Sequence, residues 1–147
     1  MKEELLKLAK AKVQLRLDEA RKAMTAAQTA ANEETKSSAG DKYETGRAMA
    51  QNDRDMYARQ EAEAKAEMAV LQSIDPQKKY EFPITGALIE TSIGKILIAT
   101  SIGFLQWNGE KAMVISETSP LAQALKGKKA EETFEFRGQQ VKIISIS

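Results

Sequence analysis

The sequence has 147 residues, 42% hydrophobic and 29% charged, with a formal net charge of +1, which leaves room for one or two small domains of ordinary globular balance. Lysine and arginine stand 13 to 13 against aspartate and glutamate over residues 1–74, and 9 to 8 over residues 75–147. Neither half is a basic module, so nothing supports binding DNA or RNA by phosphate neutralisation, or sequence-specific DNA binding. Histidine and cysteine are absent, which excludes disulfides, Cys/His zinc sites and Cys or His nucleophiles and bases. Any metal must be held by carboxylates and carbonyls, a donor set that suits Mg²⁺ or Ca²⁺.

The opening residues, "MKEELLKLAKAK", contain no apolar run of signal-peptide length. No segment approaches the ~20 apolar residues of a membrane span. A cytoplasmic chain with no membrane partner is the expectation.

Residues 2–33 contain no Gly or Pro. Leu6, Ala9, Val13, Leu17, Ala20, Met24, Ala27 and Ala31 step by 3 and 4, with one irregular step after Val13. That is a coiled-coil seam with a stutter. Residues 42–74 form a second such segment, with Gly46 its only Gly. Its matching row is Tyr43, Gly46, Ala50, Asp53, Tyr57, Gln60, Ala64, Met68 and Leu71, and a row through Met49 and Met56 competes with it. Two helices joined by a short Ser/Gly loop predict an antiparallel hairpin over residues 1–76, each arm ~45 Å long. Its tip falls at about residues 34–41. Small residues near the tip (Ala27, Ala30, Ala31; Gly46, Ala48, Ala50) predict a slender end, although alanine's helix propensity accounts for much of their number.

Asp75-Pro76 closes the second arm, because proline cannot continue a helix. Beyond it, "ALIET", "KILIAT", "FLQW", "AMVIS", "TFEF" and "VKIISIS" read as six short strands. Asn108-Gly109 is a hairpin signal. Ser119 as N-cap and Pro120 at the first helical position open one helix that ends at Gly127. Residues 77–147 are therefore a small α+β domain with one helix. Phe104 and Trp107 are assigned to its core or its edge.

Asp41 and Glu44 follow the loop directly, in the string "GDKYE". Asp at the N-cap with Glu three residues on is a capping box, and acids there are favoured by the helix dipole. A cap and a metal ligand are compatible roles for these carboxylates, and both stay open.

"GDKYE" resembles the Gly-Asp-x-x-Glu of the Gre-type bacterial transcription elongation factors. "SPLAQALKGKK" (Ser119 to Lys129) resembles that family's Ser-Pro-Leu-x-x-Ala-Leu-x-Gly-Lys signature at seven positions in order. The resemblance implies a coiled-coil hairpin followed by an FKBP-like C-terminal domain. It implies a factor that is not itself an enzyme, inserted into the secondary channel of RNA polymerase. There Asp41 and Glu44 would help hold Mg²⁺ jointly with the polymerase, whose own active site cleaves the 3′ end of a backtracked transcript. Lys42, Arg47 and Arg54 become candidates for touching RNA or polymerase, although Arg54 lies between Asp53 and Asp55 and local ion pairing is its favoured role. Ser119, Pro120 and Leu121 become candidates for docking on the polymerase. The sequence departs from the family at Thr45 to Ala48, where Asn-Ala-Glu-Tyr is usual, and at Ala130 to Glu132, where a Gly-Asp turn is usual. These departures mark a divergent relative. They keep open a regulator of the same channel that does not stimulate cleavage. From a different class, an FKBP-like isomerase or chaperone-type binding module also stays open, fold alone being poor evidence of function.

Overall fold

The computed structural model describes residues 1–36 and 41–147, with the side chains of residues 34–36 and 41–44 also outside the description. Two helices come first, α1 (Lys2–Lys36) and α2 (Asp41–Ser73). Six strands and one short helix follow: β1 (Leu88–Thr91), β2 (Gly94–Ala99), β3 (Gly103–Trp107), β4 (Glu110–Ser116), α3 (Pro120–Leu125), β5 (Thr133–Phe136) and β6 (Gln139–Ile146). The expected helical hairpin and small β-rich domain with one helix are both present. No helix among the described residues is long and apolar enough to cross a membrane.

The chain divides into two compact units, Val13–Met68 and a second made of Met1–Lys12 with Ala69–Ser147. The units therefore part within the helices and not at residue 76. The first turns of α1 and the last of α2 belong with the sheet.

In the hairpin unit the helices run antiparallel. Arg16 Nη2 donates to Glu67 Oε2 at 2.8 Å, Arg21 Nε to Glu61 Oε1 at 3.5 Å, and Arg54 Nη1 to Gln28 Oε1 at 3.0 Å, so numbers rise on one helix as they fall on the other. The α1 row is buried or half-buried throughout its length. The α2 row needs correction. Asp53 and Gln60 are exposed, while Arg54 and Glu61 are half-buried in their place. The seam runs Ala50, Arg54, Tyr57, Glu61, Ala64, Met68, Leu71, a regular alternation of 4 and 3. The competing row fails, since Met49 is 63% exposed. Long polar side chains occupy two seam positions because their head groups find partners across or along the helices. Arg54 reaches Gln28, and Glu61 accepts from Lys65 at 2.9 Å as well as from Arg21. The Lys65 hydrogen bond, then Arg21, holds the Glu61 carboxyl below its usual pKa.

In the sheet unit the strand order is β3-β4-β2-β1-β6-β5. The β3–β4 hairpin folds back so that β4 slots between β3 and β2, pairing antiparallel with β3 and parallel with β2. Asn108 (φ 52°) and Gly109 (φ 79°) both take left-handed conformations, the two-residue type I′ turn that matches strand twist. Arg137 (φ 50°) and Gly138 (φ 78°) do the same between β5 and β6, a turn the sequence reading did not single out. One sheet face carries Ile89, Ile96, Ile98, Ile115, Val141 and Ile143, covered by Leu121, Ala122 and Leu125 of α3. Strand alternation puts Leu97, Ala112 and Val114 on the other face, and they too are buried.

Met1 and Lys2 lie at this second face. Lys95 Nζ, in the same row as Leu97, approaches Met1 Sδ at 3.2 Å. Lys2 Nζ donates to the carbonyls of Lys78 at 2.9 Å and Ser147 at 3.0 Å, and sits 5.2 Å from the Tyr80 ring centre. Burial pushes the Lys2 pKa down, partly offset by the Asp75 charge. The carbonyls and the ring replace the water this ammonium loses.

Leu71 is fully buried and Met49 is exposed. Leu71→Ala should cost about 2–5 kcal/mol of unfolding free energy, and Met49→Ala within about 0.5. Urea denaturation followed by circular dichroism measures both. Similar costs would overturn the 4-3 register of the α2 seam.

Candidate functional site

The residues singled out from the sequence fall in both units. Asp41, Lys42 and Glu44 lie on the first turn of α2. Their side chains, and residues 37–40, lie outside the described residues. The choice between a capping box and a ligand pair falls there too.

Arg47 is exposed on the next turn. Arg54, seven residues on, is half-buried and held. Besides Gln28 it pairs with Asp55, Nη2 to Oδ1 at 3.1 Å. The local ion pairing favoured from sequence is therefore present, with Asp55 as the partner. Sequence reasoning missed the cross-helix bond to Gln28. The signal was the 4-3 spacing through residues 50, 54, 57 and 61, passed over because an arginine was not counted as a seam residue.

Ser119 does what its position predicts. It is extended (φ −67°, ψ 155°), and its Oγ accepts from the Ala122 N–H at 3.3 Å. Its carbonyl accepts the first helical bond from Gln123 N–H at 2.9 Å. Gln123 Nε2 reaches back to the Glu117 carbonyl at 2.9 Å, and the Glu117 carboxylate accepts from Thr85 Oγ1 at 2.9 Å. These bonds fix the loop before α3. Pro120 is exposed at the first helical position, where its missing N–H costs nothing. Leu121 is 6% exposed and part of the core. The three docking candidates are thus adjacent in the chain but not alike. Pro120 offers surface, Ser119 works as a cap, and Leu121 as placed offers none. The helix ends as expected, with Gly127 left-handed (φ 78°).

Phe104 and Trp107 lie on β3, the edge of the sheet. Phe104 is 64% exposed and Trp107 half-buried, so of core and edge it is the edge that holds. A groove of about 420 Å³ lies between the two helices of the hairpin unit, lined by Arg16, Glu19, Tyr57, Glu63 and Glu67 among others. In the sheet unit a shallow groove of about 290 Å³ is lined by Glu81, Phe82, Lys129, Ala130 and Ile146, with a single aromatic. Among the described residues no three carboxylates are grouped to hold a metal ion.

No family model matches the chain, and no curated protein matches it. Among solved structures it is similar to the transcription factor Gfh1, at 14% sequence identity with a TM-score of 0.39, over 94% of this chain and 92% of that one. A likeness of this degree carries no argument about function.

Ser119→Ala removes the cap and should cost about 1 kcal/mol of sheet-unit stability, while Pro120→Ala costs less than about 0.5. Chemical denaturation of the full chain checks both. Equal, negligible costs would mean the hydroxyl is not the cap.

Proposed function

We propose that this chain is a divergent Gre-type factor that binds RNA polymerase through its secondary channel and assists cleavage of backtracked transcripts. The observation that carries the reading is where the two motifs fall. Gly-Asp-x-x-Glu carries Asp41 and Glu44 onto the first turn of α2, at the connected end of an antiparallel hairpin. Ser-Pro-Leu-x-x-Ala-Leu-x-Gly-Lys forms a capped helix and its left-handed exit on a six-stranded sheet. Two short motifs placed independently at a hairpin end and at a capped helix support the reading more than either does alone.

In this reading the chain is not an enzyme. Asp41 and Glu44 offer oxygen ligands to Mg²⁺ held jointly with the polymerase, an ion that supplies activation of water for phosphodiester hydrolysis. A chain without His or Cys can supply carboxylate oxygens of this kind. The nascent RNA 3′ end is then an indirect partner. Lys42 and Arg47 are the cations nearest the carboxylates in sequence. Arg54, bonded to Gln28 and Asp55, is the third candidate for an RNA or polymerase contact. Pro120 is the exposed member of the proposed docking turn. A channel regulator without cleavage activity is the second reading. What favours it is the run Thr45 to Ala48, which departs from the family directly after the acidic pair.

Asp41→Asn and Glu44→Gln nearly keep shape and remove charge, and both replacements remain good capping residues. On a stalled, backtracked elongation complex each should lower cleavage stimulation at least ~10-fold, about 1.4 kcal/mol of transition-state stabilisation, while polymerase binding persists. Stimulation by the wild type that both substitutions leave untouched would reduce the carboxylates to caps. Binding by a wild type that stimulates nothing, but competes with a cleavage factor, would select the second reading.

A further inference from the structure

We propose that β3 is a self-association edge, through which two copies of this chain pair antiparallel about a two-fold axis at Leu105. The strand ends the sheet. Its sequence, Gly-Phe-Leu-Gln-Trp, lacks the charges and proline that guard exposed edges. The opposite edge strand, β5, carries Glu135 and is followed by Arg137.

The hydrogen-bond phase of β3 follows from its turn. Trp107 and Glu110 flank the two-residue loop at Asn108-Gly109, and such a flanking pair exchanges both of its backbone bonds. The register then puts Leu105 with Ala112 and Gly103 with Val114 in the same phase. The Ile102 N–H, bonded to the Val114 carbonyl at 3.2 Å, fits a strand that begins its bonding to β4 at this point. Phe104 and Gln106 are in the alternate phase, so their N–H and C=O groups point away from β4, off the sheet. A two-fold at Leu105 sets Phe104 of one copy against Gln106 of the second, and the reverse, giving four backbone hydrogen bonds.

The side chains are complementary under the same operation. Leu105 meets Leu105 of the second copy. Trp107 falls opposite Gly103 of the second copy, where a Cβ would have nothing within 4 Å. An aromatic ring over a cross-strand glycine is a stabilising pair. The one acid beside Trp107, Glu110, is neutralised within its own copy by Lys95 at 2.7 Å, so no like charges converge. A foreign strand would need its own small residue opposite Trp107 and its own apolar residue opposite Leu105. A second copy supplies both, which is why it is the occupant proposed.

Sedimentation equilibrium of the full chain tests this. The mean mass should rise from one chain toward two as concentration rises to about 1 mM. Gln106→Pro deletes an outward N–H and none of the bonds to β4, so it should stay at one chain with its melting temperature unchanged. Leu105→Cys gives a chain with a single thiol. The non-hydrogen-bonded pair it forms has a Cα separation of about 4.5 Å, within disulfide range. A mild oxidant should link Leu105→Cys copies at least ~10-fold faster than Phe104→Cys copies, whose thiols lie against Gln106 and not against each other. One-chain mass at every concentration would overturn the proposal. So would equal cross-linking at both positions, or a Gln106→Pro chain that still dimerises. A monomeric chain that captures an extended apolar peptide would overturn it in favour of strand addition by another protein.

Discussion

Two long helices that meet along one narrow stripe bury too little surface to hold themselves together. This chain depends on the point where both helices enter the sheet unit. Leu5 and Leu71 are completely buried there, with Leu6 and Ile74 nearly so. Lys2 adds a polar tie, its ammonium shared between two carbonyls and the Tyr80 ring. The closing pair of bonds between Leu88 and Ser147, at 3.0 and 2.9 Å, holds β1 to the end of β6 beside it. With the helix ends buried in this way, the hairpin unit's seam combines a few larger apolar residues, such as Val13 and Leu17, with alanines and ion pairs.

That division explains the character of the α2 seam. Ala50 and Ala64 are buried, and Arg54 and Glu61 take seam positions. Such a seam is specific more than strong. Each polar member has a defined partner, so a slip along the helix would leave partly buried charges unpaired.

Much of this was legible in the sequence. Every strand run and the Asn108-Gly109 turn were visible, because period-2 alternation and turn chemistry are local. Ser119 and Pro120 were legible as cap and first helical residue for the same reason. The α1 seam read correctly because its members are apolar. The α2 seam did not, because hydrophobicity cannot rank Arg54 against Asp53 when only the cross-helix partner, Gln28, decides. Strand order was not legible either. The insertion of β4 between β2 and β3 is a long-range choice that no local signal records. The acidic pair was singled out by motif, and it lies on the first turn of α2. Whether those carboxylates cap or ligate is a matter of side-chain chemistry that neither spacing nor helix position decides.

The central claim is that the hairpin end works inside RNA polymerase, and proximity tests it most directly. Thr45 is exposed one residue beyond Glu44, and Thr45→Cys provides the only thiol in a cysteine-free chain. A photo-crosslinker at that position, in a complex with stalled RNA polymerase, should form adducts with the polymerase's active-centre cleft and with the transcript's 3′ end. Adducts confined to the polymerase's outer surface, or none above a control bearing the probe at Arg137, would contradict the account.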